Sequence, residues 1–308
     1  MKIVIDKYIP CLEAVLREAG HEVVALEPEA ITAAAVANAN ALFVRTRTRI
    51  NKELLHGSMV TFVATATIGT DHIDFDYCRQ QGIEVASAPG CNAQAVCDYL
   101  EEVINEVGGL SIGIVGYGHV GKKVAAMATA RGMKAVINDP PLGLLDDVSQ
   151  CDIITFHTPL TKSGSYPTYH LCDATFLQRC RQGAVIINAA RGGVVDEQAL
   201  LQSGHPFVLD CWEGEPRINA EVARSEKALL VSMHIAGYSL EGKINASQQC
   251  LDAFCQHFSL PALIIDKKVV SLQSQTGDSA PCWLRRVSEQ LKAQPQSFEE
   301  LRKKYALR

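Results

Sequence analysis

The chain has 308 residues, enough for two domains with separate cores, and its 47% hydrophobic and 20% charged composition is that of an ordinary globular protein. A net charge of −5 argues against nucleic acid or an anionic membrane surface as partner. Eleven cysteines lie without paired metal-ligand spacing, several inside apolar patterns (Cys97, Cys151, Cys250, Cys255), so they read as buried reduced thiols rather than a disulfide framework, and no metal is expected.

In chain order, the opening residues MKIVID already read as a strand, which leaves no secretory signal, and no apolar run reaches membrane-spanning length; a cytoplasmic location is expected. Apolar runs at 3–6, 22–26, 41–45, 60–65 and 83–87 predict short buried strands, with helical spacing at 10–19, 30–38, 51–56 and 72–81 between them. That alternation predicts a doubly wound parallel sheet. Arg45, Arg47 and Arg49 surround Thr46, and on an extended segment all three would point to one side, either as a phosphate-binding cluster or as a solvated basic edge.

A helix over Asn92–Val107 leads to a second strand series at 112–115, 135–138, 153–156, 184–188, 207–210 and 229–232, and a helix over Leu240–Phe258 returns the chain toward the first sheet. The fold class predicted is α/β, two Rossmann-like domains with a cleft between them and a small C-terminal helical segment. The expected boundaries are 1–91 with 236–258 for a discontinuous substrate domain, 92–235 for a dinucleotide domain, and 259–308 for a short terminal segment, too small to fold alone, that packs on the body of the protein or on a second subunit in a dimer. Ser271 to Pro281 reads as a polar linker. Beyond it Leu284, Val287 and Leu291 share one helix face, and Ser297-Phe298-Glu299-Glu300 has the pattern of a capping box.

The strand at Ile112–Val115 runs into Gly116-Tyr117-Gly118-His119-Val120-Gly121 and then a helix, the order that a dinucleotide turn requires. Gly116 suits the tight turn, Gly118 the approach of a pyrophosphate, and Gly121 close helix packing, with the helix N-terminus favouring negative charge. The next strand ends in Asp139, placed to bond the adenosine ribose; only Pro140 and Pro141 follow, so a 2′-phosphate would meet no cation, and NAD is expected over NADP. Downstream stand Arg191 in NAARGGVVD, Glu215 in DCWEGEP and His234 in MHIAGYS. Oxidising a 2-hydroxy acid needs a base for the hydroxyl proton and a clamp for the carboxylate. His234 is the candidate acid/base, Glu215 its orienting partner, and Arg191 the planar fork for the carboxylate.

Taken with FVATATIGTDHID (62–74), SAPGCNAQAV (87–96), INDPP (137–141), TFHTPL (155–160) and HIAGYSLEGK (234–243), these motifs resemble the D-isomer-specific 2-hydroxyacid dehydrogenases over about residues 1–258. PGCNA, the Trp of DCWEGEP and HIAGYSLEGK are closest to the branch that oxidises 4-phospho-D-erythronate to 2-oxo-3-hydroxy-4-phosphobutanoate in vitamin B6 synthesis. The resemblance implies that Thr158, Asp210 and Gly237 line the NAD site, Asp210 near the nicotinamide carboxamide, and that Thr46, Thr67 and Tyr238 touch substrate. It also implies a homodimer. Relative to the family the link from Asp139 to Ile153 looks shortened, barely long enough for a crossover helix, and the stretches 92–112 and 191–210 look trimmed. A dehydrogenase for another D-2-hydroxy acid and an NAD-sensing regulatory module are alternatives that keep the same residues.

Overall fold

The computed structural model describes residues 1–266 and 283–306; the linker expected at Ser271–Pro281 lies outside the described residues. The chain divides into two compact units, Met1–Asn92 with Ser239–Thr276 and Ala93–Tyr238 with Gly277–Arg308.

In the first unit β1 (Lys2–Asp6), β2 (Glu22–Leu26), β3 (Ala41–Val44), β4 (Phe62–Thr65) and β5 (Glu84–Ala86) form a parallel sheet in the order β2-β1-β3-β4-β5. Side chains alternate across it with period two. Ile3, Ile5, Phe43 and Phe62 pack one way against Leu12 and Leu16 of α1 (Leu12–Glu18) and Leu251 and Phe254 of α10 (Leu240–His257). Val4, Leu42, Val44 and Val63 pack the other way against α2 (Ala33–Val36), α3 (Lys52–Leu55) and α4 (Phe75–Gln80). With both faces covered, the strands have the unbroken apolar character by which they are legible. Helix α4 starts later than its pattern suggested because Asp74 caps it, accepting from the Tyr77 N–H at 2.9 Å.

The arginine row after β3 does not form. Arg45 to Thr48 is a turn closed by the Thr48 N–H on the Arg45 carbonyl at 3.2 Å, which breaks the alternation an extended segment would have had. Arg45 turns inward instead, donating from Nε and Nη2 to the two oxygens of the fully buried Asp6 at 2.8 and 3.1 Å, and stacks on Tyr8.

In the second unit β6 (Ser111–Val115), β7 (Lys134–Asp139), β8 (Leu144–Leu145), β9 (Ile153–Phe156), β10 (Val185–Asn188), β11 (Phe207–Leu209) and β12 (Ala228–Val231) form a sheet ordered β12-β11-β10-β9-β6-β7-β8, parallel except for β8. Helices α5 (Ala93–Val107), α6 (His119–Ala130), α7 (Ala174–Arg179), α8 (Glu197–Ser203) and α9 (Ala220–Arg224) surround it. The short link from Asp139 to Ile153 carries no α-helix. It makes the two-residue β8 and a 3-10 turn at Val148–Gln150 that lies directly on β6. Gly113 permits this, since a Cβ there would sit 2.7 Å from Val148 Cβ.

The residues 259–308 do not stand apart where they are described. Ile265, Leu260 and Leu263 join the core of the first unit. Helix α11 (Trp283–Ala293) sends Trp283, Leu284, Val287 and Leu291 into the core of the second, as Phe298 of α12 (Phe298–Lys304) does. Helix α11 also covers the edge strand β12, where Ser288 Oγ accepts from the Val231 N–H at 3.0 Å and Lys292 Nζ bonds the Ala228 carbonyl. The capping box at Ser297 is not made. A 3-10 turn at Pro295–Ser297 leads straight into α12, so Ser297 is not extended and its side chain caps nothing, while Glu300 accepts from Lys304 Nζ at 2.6 Å. The cysteines among the described residues are free thiols, most of them buried, and no helix among those residues is long and apolar enough to cross a membrane.

Candidate active site

The dinucleotide turn of the second unit follows from sterics. Gly116 takes φ +97°, and a Cβ there would lie 2.7 Å from the His157 carbonyl oxygen. A Cβ on Gly121 would lie 2.0 Å from the Gly116 carbonyl oxygen, so only glycine lets α6 begin this close to β6. Gly118 differs, for among the described residues no atom beyond its chain neighbours lies within 4 Å of where its Cβ would be. The backbone there is open to a ligand, and the N–H groups of His119 and Val120 follow in the first turn of α6, where the helix dipole favours a pyrophosphate. Asp139 Oδ2 accepts from the Tyr117 N–H at 2.6 Å and braces the turn; Oδ1 has no protein donor among the described residues and is left for a ribose hydroxyl. Thr158 Oγ1 is buried without a hydrogen-bond partner among the described residues, a defect that a bound cofactor would remove. Burial pushes His157 down to about 3, so that imidazole stays neutral beside the turn. Glycine cradle, free carboxylate oxygen and orphaned hydroxyl together fit NAD.

The other half of the site stands on loops after β10, β11 and β12. His234 Nδ1 lies 2.8 Å from Glu215 Oε2, and Glu215 Oε1 accepts from the Trp212 N–H at 2.8 Å. Because a carboxylate only accepts, the imidazole proton must sit on Nδ1, which leaves Nε2 with a lone pair for a substrate hydroxyl. His234 itself is in the left-handed region at φ +57°, a conformation that surrounding bonds must hold. Its N–H donates to the Asp210 carbonyl at 2.8 Å. The buried Asp210 carboxylate accepts from the N–H groups of Ile235 and Ala236 at 2.8 and 2.9 Å and from the Ser232 hydroxyl at 2.6 Å, and Tyr99 Oη shares a 2.8 Å hydrogen bond with that hydroxyl. Asp210 therefore fixes the loop that bears His234. Its Oδ2, with one N–H donor and the weak Cys211 thiol contact at 4.0 Å, retains capacity for a carboxamide N–H. Gly237 follows in the same turn, closed by the Tyr238 N–H on the Ile235 carbonyl at 2.9 Å.

Arg191 heads a loop pinned by Asn188, whose Nδ2 donates to the Arg191 carbonyl at 2.9 Å and whose Oδ1 accepts from the Ala190 N–H at 3.1 Å. The Arg191 guanidinium donates from Nη1 to the Ala190 carbonyl at 2.9 Å, and its charge favours the Cys211 thiolate that Glu215 disfavours. Ligand atoms of Cys211, Glu215 and His234 lie within 4.8 Å of one another. Burial pushes the Cys211 thiol well up, however, and His234 Nδ1 is committed to Glu215, so the group reads as an acid/base pair packed on a neutral thiol. Thr46 and Thr67 belong to the first unit. Thr46 is exposed in the turn after β3, and Thr67 Oγ1 donates to the Gly69 carbonyl at 3.0 Å and lies 2.7 Å from Thr65 Oγ1.

Sequence reasoning missed Asn188, Ser232, Tyr99 and Glu197. Glu197 is buried, and its Oε1 accepts from the Glu213 N–H at 2.5 Å, holding the turn that carries Glu215. Burial, with Glu213, Glu215 and Asp196 nearby, pushes Glu197 up to about 7. A carboxyl raised in the folded state contributes stability that is present below its ordinary value and lost as pH rises through 7. Roughly 2 kcal/mol of stability is therefore expected to disappear between pH 5 and pH 8, and to be retained in Glu197→Gln. Denaturant melts at the two pH values check this; the same loss in both proteins would exclude Glu197 as its source.

A glycine turn made for a dinucleotide, in the same unit as an imidazole held by a carboxylate, is the equipment of an NAD-linked dehydrogenase. Residues 91–236 match the family described as D-isomer specific 2-hydroxyacid dehydrogenase, NAD binding domain, and the chain belongs to that family. It is 40% identical to the erythronate-4-phosphate dehydrogenase of Bacteroides thetaiotaomicron, with 100% of this chain and 97% of that one covered. It is 42% identical to the enzyme of the same name from Pseudomonas savastanoi, with 92% and 81% covered. The alignment with the Bacteroides protein runs over 338 residues, longer than this chain, so segments of that relative have no counterpart here. In fold it is similar to NAD-bound 3-phosphoglycerate dehydrogenase of Entamoeba histolytica (TM-score 0.71, 24% identity, 86% of this chain and 99% of that one). It is also similar to the TT0316 protein of Thermus thermophilus (TM-score 0.72, 24% identity, 86% and 100%).

Proposed function

We propose that this protein oxidises 4-phospho-D-erythronate at C2 to 2-oxo-3-hydroxy-4-phosphobutanoate with NAD, as a cytoplasmic homodimer serving vitamin B6 synthesis. The observation that carries the chemistry is the 2.8 Å contact of His234 Nδ1 with Glu215, which leaves Nε2 free to take a proton. Full-length relatives bearing the erythronate-4-phosphate dehydrogenase name support the substrate.

Bound at the glycine turn, NAD supplies the hydride acceptor. Gly118 would leave room for its pyrophosphate, with Gly116 and Gly121 letting the turn and α6 close tightly around that position; the His119 and Val120 N–H groups would face it, and Asp139 would take the ribose. Thr158, Asp210 and Gly237 line the remainder. Residues 92–235 hold the cofactor in this reading, and 1–91 with 236–258 hold substrate through Thr46, Thr67 and Tyr238. Arg191 grips the carboxylate with a planar fork, which fixes the face that C2 presents. His234 Nε2 accepts the C2 hydroxyl proton as the hydride leaves, and Glu215 stabilises the resulting imidazolium through Nδ1–H.

The test is reduction of NAD, followed by absorbance, when purified protein meets 4-phospho-D-erythronate, D-erythronate, 3-phosphoglycerate or D-lactate. Turnover of the phosphorylated four-carbon acid far above the others is expected. Preference for another acid would move the protein to a sister activity, and NAD binding without reduction by any of them would make it a sensor rather than an enzyme.

A further inference from the structure

With Arg45 committed to Asp6, the row of arginines after β3 no longer supplies an obvious phosphate site. A different cation stands against Tyr238, on the loop that bears His234. Arg302, in the last turn of α12, lies with its guanidinium carbon 5.3 Å from the centre of the Tyr238 ring, four residues beyond His234. Its charge acts on the Cys211 thiol, as the charges of Arg191 and Glu215 do, and Cys211 Sγ lies within 4.8 Å of the ligand atoms of Glu215 and His234. Arg302 Nε is buried and has no hydrogen-bond partner among the described residues. The Glu299 carboxylate stands 3.9 Å from Nη1.

Its neighbours behave as ordinary surface residues. Lys303 and Lys304 are mostly exposed and reach back to Glu299 and Glu300 on their own helix. Arg302 makes the same reach, to Glu299, and is set apart by its buried Nε and by its place against Tyr238. It keeps a buried donor unmet, which is costly unless an acceptor arrives.

We infer that Arg302 holds the phosphate of the substrate, its planar fork engaging phosphate oxygens while the ring of Tyr238 supports it from one face. This rests on the proposed function, and it assigns the C-terminal helix a share in substrate choice. Arg191 then takes the carboxylate and Arg302 the phosphate, so the acid is gripped at both ends with C2 toward His234.

The test compares wild type with Arg302→Met, which keeps side-chain length for packing, and Arg302→Lys. In Arg302→Met the ratio of kcat/KM for 4-phospho-D-erythronate over D-erythronate is expected to fall roughly 30-fold or more, chiefly through KM, with the lysine variant recovering part of it. An unchanged ratio, whether both substrates suffer together or neither does, overturns the assignment, because a packing role or a carboxylate contact would not separate them. If the methionine variant does not fold, the lysine variant is read alone, since it keeps the charge but loses the fork; a ratio equal to that of wild type then counts against the fork. If wild type does not oxidise 4-phospho-D-erythronate, the functional reading fails by itself. Calorimetry of inorganic phosphate with the NAD-loaded protein then decides, with weaker binding in both variants expected and equal binding overturning the inference.

Discussion

His234→Ala is expected to lower kcat by about three orders of magnitude while NAD binding stays near that of wild type. The imidazole is the group with a free ring nitrogen presented by the Glu215 contact, whereas the glycine turn that receives NAD is built by residues 116–121 and 139 with no contribution from His234. Alanine keeps the Cβ and with it the same left-handed backbone held by Asp210, so fold stability should change little beyond the lost bond to Glu215. Glu215→Gln tests the orienting role separately. Glu215 accepts at both oxygens, from the Trp212 N–H and from His234 Nδ1, and a glutamine has one oxygen to offer. Its NH₂ group cannot receive the Nδ1 proton, so either the turn loses Trp212 or the imidazole adopts the wrong tautomer. A loss of roughly two to three orders of magnitude in kcat is expected, with KM little changed. Turnover by His234→Ala within tenfold of wild type would remove His234 from the proton transfer.

Much of this was legible in the sequence because the residues concerned act over short range or in fixed motifs. The strands showed themselves as apolar runs because both faces of each sheet are covered, and the glycine fingerprint because Gly116 and Gly121 have no sterically tolerable replacement. What was illegible depended on short turns without periodicity and on contacts between distant residues. Arg45, Arg47 and Arg49 read as a row until the turn closed by Thr48 directed Arg45 to Asp6, thirty-nine residues away. Strand β8 is two residues long, and its Leu145 is exposed, so it leaves no periodic trace. Ser297 carried the letters of a capping box, but Pro295 had already set a 3-10 turn that denies it the extended backbone a cap needs. Glu197 looked like a helix-start acid, and its bond to the Glu213 N–H appears only when the loops after β10 and β11 are brought together.

The meeting of those loops is also where a single methyl group should do most damage. A Cβ on Gly192 would fall 1.8 Å from the Trp212 carbonyl oxygen and 2.9 Å from the Glu213 nitrogen, both backbone atoms, so no rotamer change relieves the clash. The Arg191 loop and the Trp212–Glu215 turn would have to part. Trp212 resists, since its ring is buried in the core and its Nε1–H donates to the Ser232 carbonyl at 2.8 Å. Displacement would thus fall on the short turn whose Glu215 orients His234 and on the loop that aims Arg191, the two halves of the catalytic grip. Gly192→Ala is expected to destabilise the second unit by about 3 kcal/mol and to reduce kcat/KM for the substrate at least a hundredfold in the fraction that folds. NAD binding to that fraction should weaken far less, because residues 116–121 lie outside the clash. A thermal melt together with a titration of NADH followed by its fluorescence separates the two effects. A variant as stable and as active as wild type would mean that these loops do not pack as closely as the 1.8 Å approach requires, and that Gly192 does not couple Arg191 to Glu215.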